Sequence, residues 1–153
     1  GTLRANDASQ TIVGNAESAT SGGWRLSADT TVTPTRFRLK VVPPRGFRTS
    51  PLDATFDCAV PTDDWHHIAL EYNPLAGESR GEWTLFIDGS HAASLTNAFN
   101  PSDCIGPDAF HLGGVGGVAT AAGEYDMWRV TRGLLTADEL LYCYREGLLI
   151  RLK

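Results

Sequence analysis

Alternation of apolar and polar positions is the strongest signal in the chain. Residues 65–89 read WHHIALEYNPLAGESRGEWTLFIDG. In the first run His66, Ile68, Leu70 and Tyr72 alternate with Trp65, His67, Ala69 and Glu71; in the second, Trp83, Leu85 and Ile87 alternate with Thr84, Phe86 and Asp88. Successive side chains of a strand leave opposite sides of the backbone, so period two marks a strand with two unlike faces. The linker 73–81 carries Asn-Pro, Ala-Gly and Arg-Gly, which predicts an antiparallel hairpin with a long loop. Asp88-Gly89 predicts a tight turn into a short strand over 90–95. Trp65, Ile68, Leu70, Trp83 and Leu85 are the expected buried positions of this unit.

Further strands are expected on either side. Residues 10–15 (QTIVGN) and 23–27, where Trp24 and Leu26 flank Arg25, come first. Residues 35–42 (TRFRLKVV) set Phe37, Leu39 and Val41 against Arg36, Arg38 and Lys40, the pattern of a strand with one wet face. Pro43-Pro44 closes that run because proline cannot feed a ladder. Residues 54–60, 109–113 and 124–131 complete the strand set, with loops over 47–53, 96–107 and 114–123. One helix is predicted near the C-terminus. Thr136 and Glu139 fit a capping box, Leu135 and Leu140 fit a hydrophobic staple, and Gly147 is a natural stop.

Composition narrows the classes. A length of 153 residues suits one domain spanning 1–153, and no apolar run is long enough to insert in a membrane. A net charge of −5 argues against nucleic acid, which requires clustered Lys and Arg. The local basic excess at Arg36, Arg38, Lys40, Arg45 and Arg48 is read mainly as the wet face of a strand rather than an anion site. Cys58, Cys104 and Cys143 have no C-x-x-C spacing, so a structural zinc site is not indicated. A Cys58–Cys104 bridge is expected, worth roughly 4 kcal/mol in the chain-entropy model, with Cys143 left as a thiol. Spacing alone leaves the pairing open.

WHHIALEY, GEWTLFIDG, FHLGG and GEYDMWRVTRGLLTADEL occur in that order. The series resembles the laminin-G-like branch of the concanavalin A-like lectin and glucanase jelly rolls, over about residues 10 to 148. The resemblance implies an all-β, two-sheet antiparallel jelly-roll sandwich with one short C-terminal helix. It also implies a non-catalytic module working outside the cell or at its surface and recognising a glycan or a protein. The resembled domains begin with strands ahead of the region that matches here. The chain is therefore expected to be a fragment or mature piece of a longer protein. The edge near 10–15 or 124–131 is expected to be filled by a strand-donating partner or by self-association, since an open ladder edge templates another strand.

Retaining glycosidases of this fold carry Glu-x-Asp-x-x-Glu on a strand, with the outer glutamates as nucleophile and acid/base. Here the series is Glu124, Asp126 and Arg129, so a divergent glycosidase or lyase ranks below a binding module, as does a structural subunit of a surface assembly. No catalytic residue is assigned. His66 and His67 are adjacent on a strand and point to opposite faces, so they do not jointly hold a metal. Asp63, Asp64, Asp88, Asp103, Asp108 and Asp126 lie near turns and offer oxygen ligands for Ca2+, which several branches of the resembled family bind; Asp126 is the metal-ligand candidate. The stretch 113–117 lacks the Lys-Ser/Thr of a nucleotide loop. Trp24, Trp65, Trp83 and Trp128 fall on predicted strands, where core packing outranks a sugar-stacking role.

Overall fold

The computed structural model describes residues 10–15, 22–43, 51–61, 65–76, 80–96, 111–112, 123–126 and 149–152. Among the described residues ten strands run in chain order: β1 Gln10–Gly14, β2 Gly23–Asp29, β3 Arg36–Val42, β4 Leu52–Ala59, β5 His66–Asn73, β6 Glu82–Ile87, β7 Ser90–Thr96, β8 His111–Leu112, β9 Gly123–Asp126 and β10 Leu149–Leu152. They form two five-stranded sheets. Sheet I has the order β4-β3-β2-β1-β8, and sheet II the order β7-β6-β5-β10-β9. Every pairing among the described strands is antiparallel. The molecule is an all-β sandwich of the jelly-roll kind.

Alternation places the core. Leu26 and Ala28 of β2, Phe37, Leu39 and Val41 of β3 and Phe56 of β4 turn inward from sheet I, and all are at most 1% exposed. Sheet II answers with Ile68, Trp83 and Leu85. Trp83 joins the layers, its ring centroid lying 5.6 Å from that of Trp24 and 4.5 Å from that of Tyr72. Tilted pairs at these separations favour the aromatic quadrupoles and add to the burial of apolar area. Of the five positions expected to be buried, Ile68, Trp83 and Leu85 are, whereas Trp65 and Leu70 are half-buried.

Register explains two departures from the sequence pattern. β4 begins at Leu52, inside the stretch expected to be loop, because Val41 and Lys40 of β3 supply ladder partners for Leu52 and Asp53. β10 was not foreseen at all: it pairs with β5 (Leu149 opposite His67, Ile150 opposite His66) and with the whole of β9. A four-residue run following a predicted helix offers no periodicity long enough to read. β1 is flanked on both sides by its own chain, with β2 on one side and β8 on the other (Val13 opposite Leu112, Gly14 opposite His111). Among the described residues it is not an edge; β9 ends the order of sheet II. The helix expected from Thr136 lies outside the described residues.

Candidate functional site

Two polar constellations stand on this frame. The first is built at the β6–β7 turn. Asp88 has φ 52° and Gly89 φ 75°, and Ile87 pairs with Ser90, so the loop is the two-residue hairpin that the Asp-Gly dipeptide predicts. The turn carries Asp88 back against the start of β5. Its Oδ1 accepts from the His67 amide at 2.9 Å, its own amide donates to the His67 carbonyl at 2.8 Å, and Oδ2 lies 2.7 Å from His66 Nδ1. Partial burial raises the Asp88 carboxyl, but the hydrogen bonds from His66 and the His67 amide outweigh it and hold the group below its usual value. His67 is buried, and desolvation holds its imidazole below the ordinary value against a weaker pull from Asp88. Its Nδ1 has no hydrogen-bond partner. The two histidines do point apart, as adjacent strand residues must, and the constellation works as a clamp on the hairpin.

The second constellation is the outer face of sheet I. Arg36, Arg38 and Lys40 form its wet stripe, as the alternation predicts. Arg36 pairs with Asp57. Arg38 Nε donates to Asp53 Oδ1 at 2.6 Å, and Arg38 also lies 3.5 Å from Asp29. Lys40 Nζ lies 3.7 Å from Asp53 Oδ2. The Asp29 carboxyl sits below its usual value, chiefly through the hydrogen bond from the Thr31 hydroxyl, which outweighs burial, with smaller help from the Thr31 amide and Arg38. Hydrogen bonding to Asp53 raises the Arg38 guanidinium further still. Arg25 also belongs to this face: it stands directly opposite Lys40 and next to Gly14. Alternation along the chain does not single out Arg25 and Gly14, because only the pairing register puts them beside the basic stripe.

The expected site residues are distributed as follows. Asp126 ends β9, opposite Leu149, which is itself opposite His67. Among the described residues no three His, Cys, Asp or Glu gather as metal ligands; Asp63, Asp64, Asp103 and Asp108 lie outside them. Glu124 stands opposite Arg151 in the β9–β10 ladder. Cys58 is a half-buried free thiol, raised above its usual value first by desolvation and then by Asp57; Cys104 and Cys143 lie outside the described residues. His91 stacks edgewise on Phe86 at 6.1 Å and reaches Ser94 Oγ at 3.1 Å. Trp24 packs against the core and Trp83 within it, while Trp128 lies outside the described residues.

The family model of the laminin-G type, described as the concanavalin A-like lectin/glucanases superfamily, matches residues 2–141. The chain belongs to that family. No curated protein matches it, and no solved structure does. A domain of this superfamily has a lectin-type binding fold, and its laminin-G-like members are usually non-catalytic, whereas other members are glycosidases. Laminin-G-like domains are commonly extracellular, and among the described residues no helix is long and apolar enough to cross a membrane.

Proposed function

We propose that the protein is a non-catalytic binding module that works outside the cell, as one domain of a longer protein, and recognises a glycan or a protein surface. The observation that carries the reading is the replacement in the 124–129 series. Hydrolysis of a glycosidic bond needs two carboxylates across the scissile bond. This chain offers Glu124 and Asp126, but Arg129 takes the place of the second outer glutamate. A guanidinium keeps its proton at any working pH and serves neither as nucleophile nor as base.

A glycan and protein array tests the reading together with a turnover screen on the same polysaccharides. Binding without release of reducing ends is the expected result. Turnover abolished in Glu124→Gln would replace the module by a divergent hydrolase or lyase.

Calcium at Asp126 belongs to the same proposal. A carboxylate at the end of β9 is a suitable oxygen donor for a loop-built site. Millimolar calcium should raise the melting temperature of the protein and not that of Asp126→Asn; equal melting curves with calcium and with chelator count against the ion. The Cys58 thiol is proposed to form its bridge with Cys104 under the oxidising conditions outside the cell, and peptide mapping without reductant reads it directly. A strand-donating partner, expected at the 10–15 or the 124–131 edge, would add to β9, which ends the order of sheet II among the described residues.

A further inference from the structure

Asp88-Gly89 is the one Asp-Gly step in the sequence, and there is no Asn-Gly. In such a step the following nitrogen is unscreened by a side chain and lies within reach of the aspartate's own Cγ. Attack closes a five-membered succinimide. The bond from the Gly89 nitrogen to Cγ forms, the Cγ–OH bond of the protonated acid breaks, and the amide proton leaves with that hydroxyl as water. Water then re-enters at either ring carbonyl. Opening at the carbonyl on Cα leaves the chain running through the side-chain carbon, an isoaspartate with one extra methylene in the backbone.

The turn supplies the reactants, and its clamp holds them apart. Asp88 and Gly89 form the two-residue loop at φ 52° and 75°, and the Asp88 side chain is 47% exposed, so water reaches the acid. Both carboxylate oxygens are held on the start of β5. Oδ1 accepts from the His67 amide at 2.9 Å, and Oδ2 lies 2.7 Å from His66 Nδ1. A carboxylate only accepts, so Nδ1 carries the proton of that bond. Bonds to an ionised acceptor are stronger than neutral ones. They favour the carboxylate over the protonated acid that ring closure consumes, and they keep Cγ turned to β5. The Asp88 amide is tied to the His67 carbonyl at 2.8 Å, so the backbone is held as well.

We propose that Asp88 is a site of spontaneous isoaspartate formation and that His66 is the positioning residue that restrains it. The reaction needs only water and does not depend on which ligand the module holds. Its consequence is structural. An added methylene spoils the match between a two-residue turn and the twist of its flanking strands. The carboxylate that receives the His67 amide is displaced at the same time. The β6–β7 turn then loses its tie to the first residues of β5, where β10 also pairs. Isomerisation therefore loosens sheet II from that end.

Incubation of the folded protein at neutral pH over several weeks tests the site. Isomerisation leaves the mass unchanged, so isoaspartate is counted by enzymatic methylation with labelled S-adenosylmethionine and placed by peptide mapping. The expected result is slow accumulation at residue 88 in the wild type and accumulation about tenfold faster in folded His66→Ala, as loss of one hydrogen bond to a charged group implies. His66→Gln, which keeps a donor, should restore part of the restraint. Asp88→Glu, whose longer side chain closes no five-membered ring, should stay unmethylated at that position. In concentrated urea the wild type and His66→Ala should isomerise alike, and faster than the folded wild type. Equal rates in the folded wild type and folded His66→Ala overturn the role of His66. Earlier accumulation at another aspartate, or undiminished methylation in Asp88→Glu, overturns the site. If His66→Ala proves misfolded by circular dichroism, His66→Gln and the urea comparison decide: a folded wild type slower than both supports the restraint, and equal rates in all three overturn it.

Discussion

Asp88 and His67 hold each other by two hydrogen bonds across the β6–β7 turn: carboxylate to amide at 2.9 Å, and amide to carbonyl at 2.8 Å. The pair ties the hairpin turn to the first residues of β5, so the turn sets where sheet II begins. Replacing Asp88 by Ala removes the carboxylate bonds and leaves a β-carbon residue at positive φ. Asp88→Ala should cost about 1–2 kcal/mol, read as a lowered urea midpoint at unchanged slope. Asp88→Asn, which tolerates the left-handed region and keeps an acceptor, should lose less. Equal losses in the two variants would mean that the carboxylate contributes through charge alone.

The same pair gives the protein a pH dependence of definite sign. His67 takes up a proton less readily in the fold than the ordinary imidazole, near 6.5. Between its depressed folded value and 6.5 the unfolded chain binds a proton that the native chain does not, so stability rises with pH through that window and levels off above it. Asp88 and Asp29 are also held below the ordinary carboxyl value of 3.8. Their contribution is present above that value and is lost as pH falls through their folded values. Denaturation between pH 4 and pH 8 should show the histidine slope in the wild type and a flatter curve in His67→Gln. A wild-type curve that is flat from pH 5 to pH 7 would place His67 in contact with water.

Core and rim of sheet II should separate cleanly by mutation. Leu85 is fully buried, whereas Leu70, opposite it in the β5–β6 ladder, is half-buried at the margin of the core. Leu85→Ala should cost about 2–5 kcal/mol. Leu70→Ala should cost distinctly less, because part of the side chain is already in water. Chemical denaturation of the two variants checks the order, and a larger loss at Leu70 would reverse it.

How far the chain could be read in advance follows from the same residues. Phe37, Leu39 and Val41 against Arg36, Arg38 and Lys40 fixed the two faces of β3 by alternation alone, and Asp88-Gly89 specified its turn. Both signals are local. Leu70 escaped the reading because alternation assigns a face and says nothing about the distance to the edge of the core. β10 escaped it because four residues carry too little pattern, and its place between β5 and β9 is a long-range choice. The place of Arg25 beside the basic stripe was hidden for a related reason. Arg25 and Lys40 are fifteen positions apart in the chain, and only the antiparallel register of β2 and β3 makes them neighbours.

Gly14 gives the sharpest local test of that register. It stands opposite Arg25 on one side and His111 on the other, just past the irregularity between Thr11 and Val13. Asn15 beyond it locks the same contact: its amide donates to the Trp24 carbonyl at 2.9 Å, and its Oδ1 accepts from the Trp24 amide at 2.9 Å. The strands are thus held together where a side chain would have to fit. The nearest atoms to an added Cβ are the Trp24 carbonyl oxygen and the Arg25 Cα, both backbone, so no rotamer change relieves the clash. Gly14→Ala should destabilise by about 1–3 kcal/mol, as overpacking does elsewhere, although alanine in place of glycine ordinarily favours the folded chain through its unfolded state. Asn15→Ala should cost less, since it removes one side-chain bond and leaves the backbone bond intact. Thermal denaturation of both variants decides the matter: a Gly14→Ala protein as stable as the wild type would mean that β1 stands further from β2 than the register requires.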